Sequence, residues 1–287
     1  MRWGNGVFAP AEQHVLEQPI AWCEVDSQRF VFENSLDELL QTHDLMQVSS
    51  VEDVQRLGAE PIDGDVKLHD VSPVLHAGRV LCVGLNYTDH AEEVGAELPK
   101  FPTIFTKFSN ALIGPDENIL LPTESTKIDW EAELCVVIGC EARRVFADEA
   151  LGYALGYTVF NEISVRDWQG RTSEWFQGKN WDKTTPFGPS IVSCDSVDPQ
   201  AGLTISCSVD GETRQNGNTA NMIFSAADVI AYISTFMTLQ PGDLIALGTP
   251  AGVGLSLHPR KWLEPGQTVT TRIEGIGTLT NRCVSDS

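Results

Sequence analysis

The sequence predicts a mainly β, α+β protein, and three observations carry that reading. Short apolar, β-branched runs recur along the chain, bounded by Gly, Pro, Asn or Asp. Helical patterns are few and short, and most are marked by capping signals rather than by a long amphipathic repeat. The last third alternates apolar and polar residues around turn signals such as Asp210-Gly211 and Pro241-Gly242. At 287 residues the chain can bury a substantial core. Its texture changes near residue 72. Residues 1–72 read as a small N-terminal α+β domain and 73–287 as a larger domain.

Composition narrows the partners. Apolar content of 42% and aromatic content of 8% are those of a soluble globular protein. Nineteen basic residues face 40 acidic ones, a net charge of −21. Such a surface repels nucleic acid and anionic membrane, so neither is expected as a partner. An anionic substrate would need positive charge concentrated locally. Cys23, Cys82, Cys135, Cys140, Cys194, Cys207 and Cys283 form no Cys-x-x-Cys pair. Reduced thiols and a cytoplasmic location are expected. Met1-Arg2-Trp3-Gly4-Asn5-Gly6 lacks the apolar core of a signal peptide. No run approaches the ~18 apolar residues of a membrane span.

Taken in order, Ile20–Val25 and Arg29–Phe32 read as a hairpin around Asp26-Ser27-Gln28. Ser35 caps a helix, with Glu38 completing a capping box. Val51–Leu57 is a second short helix. His14, His43, His69 and His76 are scattered among polar residues and read as surface or structural. Val80–Gly84 is a buried strand, followed by a short helix that Asn86 can cap and Gly95 can end. Thr103–Phe108 is a strand and Ile113-Gly114-Pro115 a turn. Ile119–Pro122 leads into an acidic stretch. Ala147–Leu151 suggests a short helix, and Leu155–Phe160 another strand. Thr185-Pro186-Phe187-Gly188-Pro189 reads as a break. Leu203–Val209 is a strand opening a hairpin, Ser225–Phe236 a helix, and Leu244 onward a strand running into a Gly-rich loop. Gln267–Ile273 and Ile276–Leu279 form a last hairpin.

The acidic stretch, Ile128 to Gly139, draws these parts together. Alternation puts Trp130, Ala132 and Leu134 on one face and Glu131 and Glu133 on the other, roughly 7 Å apart. Two carboxylates held that close repel unless protons or a cation intervene, and a hard divalent cation with oxygen ligands would serve. A solvated strand end fits the same pattern. Glu162 ends a buried strand and could supply a third oxygen ligand. On the helix after Asn86, His90 and Glu93 share a face. A histidine held by a carboxylate is a common general-base arrangement, although surface pairs at this spacing also occur. Residues 166–183 hold four of the 19 basic residues and three tryptophans. That suits an anion site or a solvated, tryptophan-stacked loop. The loop Gly248-Thr249-Pro250-Ala251-Gly252-Val253-Gly254 could present backbone N–H groups to a carboxylate. It lacks the pattern of a nucleotide-binding loop.

From about residue 80 to 284, these stretches resemble the fumarylacetoacetate hydrolase family in their order. The matching residues are Asn86-Tyr87 through His90 and Glu93; Lys107 through Gly114-Pro115; Glu131-Ala132-Glu133-Leu134; Gly156-Tyr157 through Asn161; Ser164 through Gln169; Gly178-Lys179; and Gly248 through Gly254. The resemblance implies a mixed, rolled β-sheet catalytic domain. It implies Mg2+ or Mn2+ held by Glu131, Glu133 and Glu162, and a homodimer. The helix of His90 and Glu93 would act as a lid. Arg166, Gln169 and Thr249 would position substrate, with Lys107 adding positive charge. The family pattern has Asn-Asp where this chain has Asn161-Glu162, so the third ligand is one methylene longer.

The chemistry so implied is C–C bond cleavage in a small 2-oxo acid, with a cation supplying Lewis-acid stabilisation of the enolate. In an acylpyruvate, His90 oriented by Glu93 would activate water, and Lys179 would stabilise the oxyanion. The products would be pyruvate and a carboxylate. Oxaloacetate decarboxylation is an alternative. So is isomerisation or decarboxylation of hydroxydienedioates from aromatic breakdown, to which Arg171, Trp175, Gly178 and Lys179 lend a likeness. A sheet protein with a structural Ca2+ is the remaining alternative, and the pairing of His90 with Glu93 argues against it.

Overall fold

The computed structural model describes residues 1–8, 18–62 and 68–286; His14 lies outside them. The first strand has no apolar alternation to announce it. β1 (Arg2–Phe8) carries Gly4 and Gly6. A Cβ at Gly4 would lie 2.7 Å from the ring of Trp22, so the glycine leaves room for that ring on the neighbouring strand. β2 (Ile20–Val25) and β3 (Gln28–Val31) form the expected hairpin. Asp26 and Ser27 both adopt positive φ, as a tight two-residue turn requires. α1 (Leu36–Thr42) has the Ser35–Glu38 capping box, and α2 (Val51–Arg56) has a second one from Ser50 and Asp53. β4 (Glu60–Pro61) and β5 (Leu68–Val71) complete the N-terminal elements. His43, His69 and His76 are exposed.

These strands do not make a sheet of their own. β6 (Val80–Gly84), α3 (Thr88–Val94) and β7 (Thr103–Lys107) follow. Next come β8 (Leu112–Ile113), β9 (Ile119–Leu121), β10 (Ile128–Asp129) and β11 (Ala132–Ile138). β12 (Ala154–Asn161) and β13 (Ser164–Val165) precede two single-turn helices, α4 (Arg166–Gln169) and α5 (Phe176–Lys179). β14 (Thr185–Val192) then joins β1 to β12. The result is one mixed 12-stranded sheet ordered β4-β3-β2-β1-β14-β12-β11 and onward to a strand pairing with β6 and then β7. The N-terminal strands thus extend the sheet that carries the acidic stretch. Trp3, Phe30 and Leu36 share a core with Val137, Leu155 and Phe187.

α6 (Pro199–Gly202), β15 (Thr204–Val209), β16 (Glu212–Asn218) and α7 (Ala226–Phe236) lead to β17 (Leu244–Ala246), which lies parallel to β6. β18 (Thr268–Ile273) and β19 (Gly277–Ser285) close a second, five-stranded sheet ordered β16-β15-β18-β19-β9. A second core lies between the sheets: Leu134, Val136 and Val159 meet Ile205, Val269, Leu279 and Ile230 of α7. β11 is therefore buried on both faces, and its apolar run reflects that.

Three local expectations change. The stretch 185–189 is strand, not a break. Pro189 lies in a bulged stretch of β14 between Gly188 and Val192, where the ladder to β12 is interrupted and no donor is needed. The short helix expected at Ala147–Leu151 forms slightly later, as a 3-10 helix over Ala150–Tyr153. Asn86 does not cap α3, whose N-cap Tyr87 makes no side-chain bond. Asn86 is fully buried and joins three segments instead. Its amide donates to the carbonyls of Leu247 and Phe224 at 2.8 and 3.0 Å, and its Oδ1 accepts from Phe224 N at 2.8 Å.

Candidate active site

The alternation of β11 puts Glu133 on the face that continues with Cys135 and Val137, away from Leu134 and Val136, and Glu131 immediately precedes the strand. Glu162 follows the last residue of β12, and its N–H donates to the Glu131 carbonyl at 2.8 Å. Strand pairing thus brings Glu162 beside Glu131. One carboxylate oxygen from each of Glu131, Glu133 and Glu162 lies within 4.8 Å of the others, and all three residues are buried. The longer side chain of Glu162 reaches the cluster.

Three cations answer them. Lys179 Nζ donates to Glu131 Oε2 at 2.8 Å and to Glu162 Oε2 at 2.7 Å. Gly178 makes this possible: a Cβ there would lie 2.6 Å from the backbone of Gln169, so only glycine lets α5 sit against α4. Arg166 Nε donates to Asp129 Oδ2 at 2.8 Å, Nη1 donates to Gln169 Oε1 at 3.0 Å, and Nη2 lies 2.5 Å from Glu131 Oε1. Lys107, expected to add positive charge near the substrate, does so from behind the site rather than from its wall. Its Nζ is 3.7 Å from Glu162 Oε1 and donates to the carbonyls of Ile163 and Lys179.

Four buried carboxylates, counting Asp129, therefore face three buried cations. The imbalance shows in their protonation. Burial and the neighbouring charges of Glu162 and Glu131 push Glu133 well above the carboxylate range. Burial also raises Glu162, against Lys179 and Lys107. Burial works against ionised Glu131 too, but Arg166 and Lys179 outweigh it and hold Glu131 well below that range. For Lys179, burial is more than offset by Glu131 and Glu162, and its pKa rises. A hard divalent cation fits this donor set. The ligands are all carboxylate oxygens, and Glu162 Oε1 is buried with no hydrogen-bond partner among the described residues.

A cavity of about 390 Å³ opens onto the three glutamates. His90, Arg166, Gln169, Lys179 and Thr249 also line it. His90 Nδ1 lies 3.1 Å from Glu93 Oε2, and Glu93 Oε1 accepts from Gly252 N at 2.9 Å. Burial resists the Glu93 charge, but the bonds from His90 and Gly252 keep its pKa below the ordinary value. Gly248 is the conformational pivot of the loop. Its φ of +85° favours glycine, and its N–H donates to Glu133 Oε2 at 2.8 Å.

Two functional side chains escaped the sequence reading. Asp129 is fully buried and accepts from Gly254 N, Leu255 N and Arg166 Nε, so it fixes both the loop and the guanidinium. It shares its parity with Glu131 and Glu133, and that was the available signal. Gln215 accepts from Ala132 N and donates to the hydroxyl of Thr249, at 2.9 and 2.8 Å. Nothing in the sequence around Gln215 marks it.

A family model described as fumarylacetoacetate (FAA) hydrolase C-terminal matches residues 79–284. The chain belongs to the fumarylacetoacetate hydrolase family. It is 43% identical over 215 residues to the mitochondrial oxaloacetate tautomerase of Rattus norvegicus, covering 75% of this chain and 69% of that protein. Among solved structures it is similar to a fumarylacetoacetate hydrolase from psychrophilic Exiguobacterium antarcticum, with a TM-score of 0.82, 32% identity and 99% of both chains covered. It is also similar to a 5-carboxymethyl-2-hydroxymuconate delta-isomerase from Mycobacterium smegmatis, with a TM-score of 0.76, 32% identity and both chains covered in full. As a member of the fumarylacetoacetate hydrolase family the chain is an enzyme, and its mainly β fold in mixed sheets is that of the family. Among the described residues no helix is long and apolar enough to cross a membrane.

Proposed function

We propose that this enzyme moves a proton at C3 of a small 2-oxo acid, interconverting keto and enol forms, with oxaloacetate the best-supported substrate. The carrying observation is that an oriented histidine shares a small cavity with the carboxylate cluster. With Glu93 ionised, the Nδ1–H of His90 donates to it and Nε2 keeps a free lone pair. Nε2 then takes the C3 proton and delivers it to the 2-oxygen to give the enol, and the reverse transfer restores the keto form, as a positioned general acid–base group does. Glu131, Glu133 and Glu162 would hold Mg2+ or Mn2+, which when bound supplies Lewis-acid polarisation of the carbonyl. Two added positive charges also turn a carboxylate-rich site into one that accepts an anion. Arg166, held on Asp129, Glu131 and Gln169, lines the cavity and would offer its remaining Nη1–H to the substrate carboxylate. The rat relative named as a tautomerase supports the same chemistry.

A second reading, hydrolysis of an acylpyruvate to pyruvate and a carboxylate, is favoured by Lys179. Among the described residues its ammonium uses two of three donors on Glu131 and Glu162, leaving one for a developing oxyanion. The deciding experiment follows the enol absorbance of oxaloacetate and of acetylpyruvate with Mn2+, with and without chelator, against a His90→Ala control. Chelator-sensitive interconversion of oxaloacetate without pyruvate supports the tautomerase. Pyruvate from acetylpyruvate supports hydrolysis, and pyruvate with CO2 from oxaloacetate a decarboxylase. No effect on either compound overturns the proton-transfer reading. A homodimer and the division at residue 72 remain part of the proposal, tested by sedimentation and by expression of 73–287 alone.

A further inference from the structure

A hydroxyl can donate or accept a hydrogen bond, and a site for an anion needs it to donate. Thr249 is buried and lines the cavity, next to Gly248, whose N–H is bonded to Glu133. Its polarity is set from the second sheet. Gln215 is fully buried on β16, and two glycines bring that strand against the loop. A Cβ at Gly217 would lie 2.5 Å from the side chain of Pro250, and one at Gly252 would lie 2.2 Å from the carbonyl oxygen of Arg214. Strand and loop therefore approach more closely than side chains at these positions would allow. Gln215 lies between these contacts in sequence.

The orientation of the Gln215 amide is fixed by backbone groups on both sides. Ala132 N can only donate, and it lies 2.9 Å from Oε1. The carbonyl of Pro250 can only accept, and it takes one N–H of Nε2 at 2.9 Å. The other N–H goes to Thr249 Oγ1 at 2.8 Å. Turning the amide over would set donor against donor at Ala132 and acceptor against acceptor at Pro250. Thr249 Oγ1 is therefore the acceptor, and its own proton has to go elsewhere. Among the described residues it makes no other hydrogen bond, and the cavity is the open side. The loop does not depend on Gln215 alone for its place. Glu133 holds Gly248, and Asp129 holds Gly254 and Leu255. What Gln215 adds is the direction of the Thr249 proton.

Resting on the 2-oxo acid reading, we infer that Gln215 is a positioning residue that fixes the hydroxyl of Thr249 as a donor to the substrate carboxylate. A carboxylate can only accept, so it is matched by a hydroxyl whose lone pair is already occupied. With that lone pair unoccupied, the hydroxyl is free to turn its proton away from the anion. Gln215 acts without touching the substrate, through the one atom it shares with the cavity wall.

The test is a double-mutant cycle, read by calorimetric titration of the full chain with 2-oxobutyrate in saturating Mn2+, which follows binding rather than turnover. Thr249→Val should weaken 2-oxobutyrate by about ten- to a hundred-fold, the scale of a lost hydrogen bond to a charged group. Thr249→Ser keeps the hydroxyl and should stay within about three-fold of the native protein. Gln215→Met should weaken binding by about ten-fold when Thr249 is present, and by less than about two-fold further in the Thr249→Val background. If Gln215→Met does not fold, Gln215→Glu takes its place. It keeps the shape and the bond from Ala132 N, but its carboxylate accepts the Thr249 proton. Its loss should again be larger with Thr249 present than in the Thr249→Val background. Equal losses in the two backgrounds would mean that Gln215 only holds the backbone, and overturn the inference. So does native-like binding by Thr249→Val. Either result leaves the 2-oxo acid reading standing. No binding of 2-oxobutyrate by the native protein overturns both.

Discussion

The two ends of the cavity are built on opposite principles. At the carboxylate end every charged group is held by at least one partner of opposite sign or by a backbone N–H. The side chains of Glu162 and Lys179 are 1% and 3% exposed. At the lid end, the side chains of His90 and Glu93 are 12% and 20% exposed, and Glu93 is tied to the Gly-rich loop by a single bond to Gly252. The contrast separates two tasks. Charge that must meet an anionic substrate is fixed in place before binding, where low dielectric strengthens it. On the proposed reading, the group that would handle the proton rides on a short helix with few ties to the rest of the site, as a lid over the substrate would need.

Breaking the carboxylate end should give the largest effect. Lys179→Met leaves Glu131 and Glu162 without their shared ammonium, and removing one partner of a buried pair costs about 3–5 kcal/mol. We expect a large fall in Tm without added metal, partly recovered by Mn2+. An unchanged Tm would mean that the ion pairs do not organise this end. Breaking the lid end should instead spare stability. His90→Ala should lower turnover by roughly 10²–10⁴-fold. Tm and Mn2+ affinity should stay close to native, and lost Mn2+ binding would remove His90 from the general-base role.

Next in size, pH should separate the two ends. The raised pKa values of Glu133 and Glu162 mean that the folded, metal-free protein holds their protons more tightly than the unfolded chain does. That contribution is full below the ordinary carboxylate value of 4.5 and is lost as pH rises through the elevated folded values. The Tm of chelated protein should therefore fall as pH increases above that value, and Mn2+ should flatten the fall by favouring the ionised cluster. Identical pH profiles with and without Mn2+ would argue against a cation at these residues. The lowered value of Glu93 acts in the opposite direction, on a partly exposed group with a smaller lever. The smallest change is Glu162→Asp, which restores the family residue. Mn2+ affinity should hold or rise, whereas Glu162→Ala should weaken it. Equal affinity in both variants would exclude Glu162 as a ligand.

Much of this was legible in the chain. Local rules wrote the hairpin at Asp26-Ser27, the capping box of α1, and the alternation of Glu131 and Glu133, because each depends only on neighbours in sequence. The order of motifs along the chain carried the family and, through it, the grouping of Glu162, His90 and Lys179. Nothing local could show that β1 to β5 extend the same sheet, since β1 is defined by the strands beside it and its glycines mask the pattern. Nor could it show that Pro189 sits in a bulge, or that Asn86 joins the segments carrying Phe224 and Leu247 rather than capping α3. The chain by itself determined which residues alternate, cap and turn, and which charged groups are available. Only the tertiary structure decided which of those charges are buried together, that Lys107 stands behind the site, and that Asp129 and Gln215 hold it in place. The reason is physical: periodicity and capping act over a few residues, whereas the cost of burying a charge depends on partners brought in from distant strands.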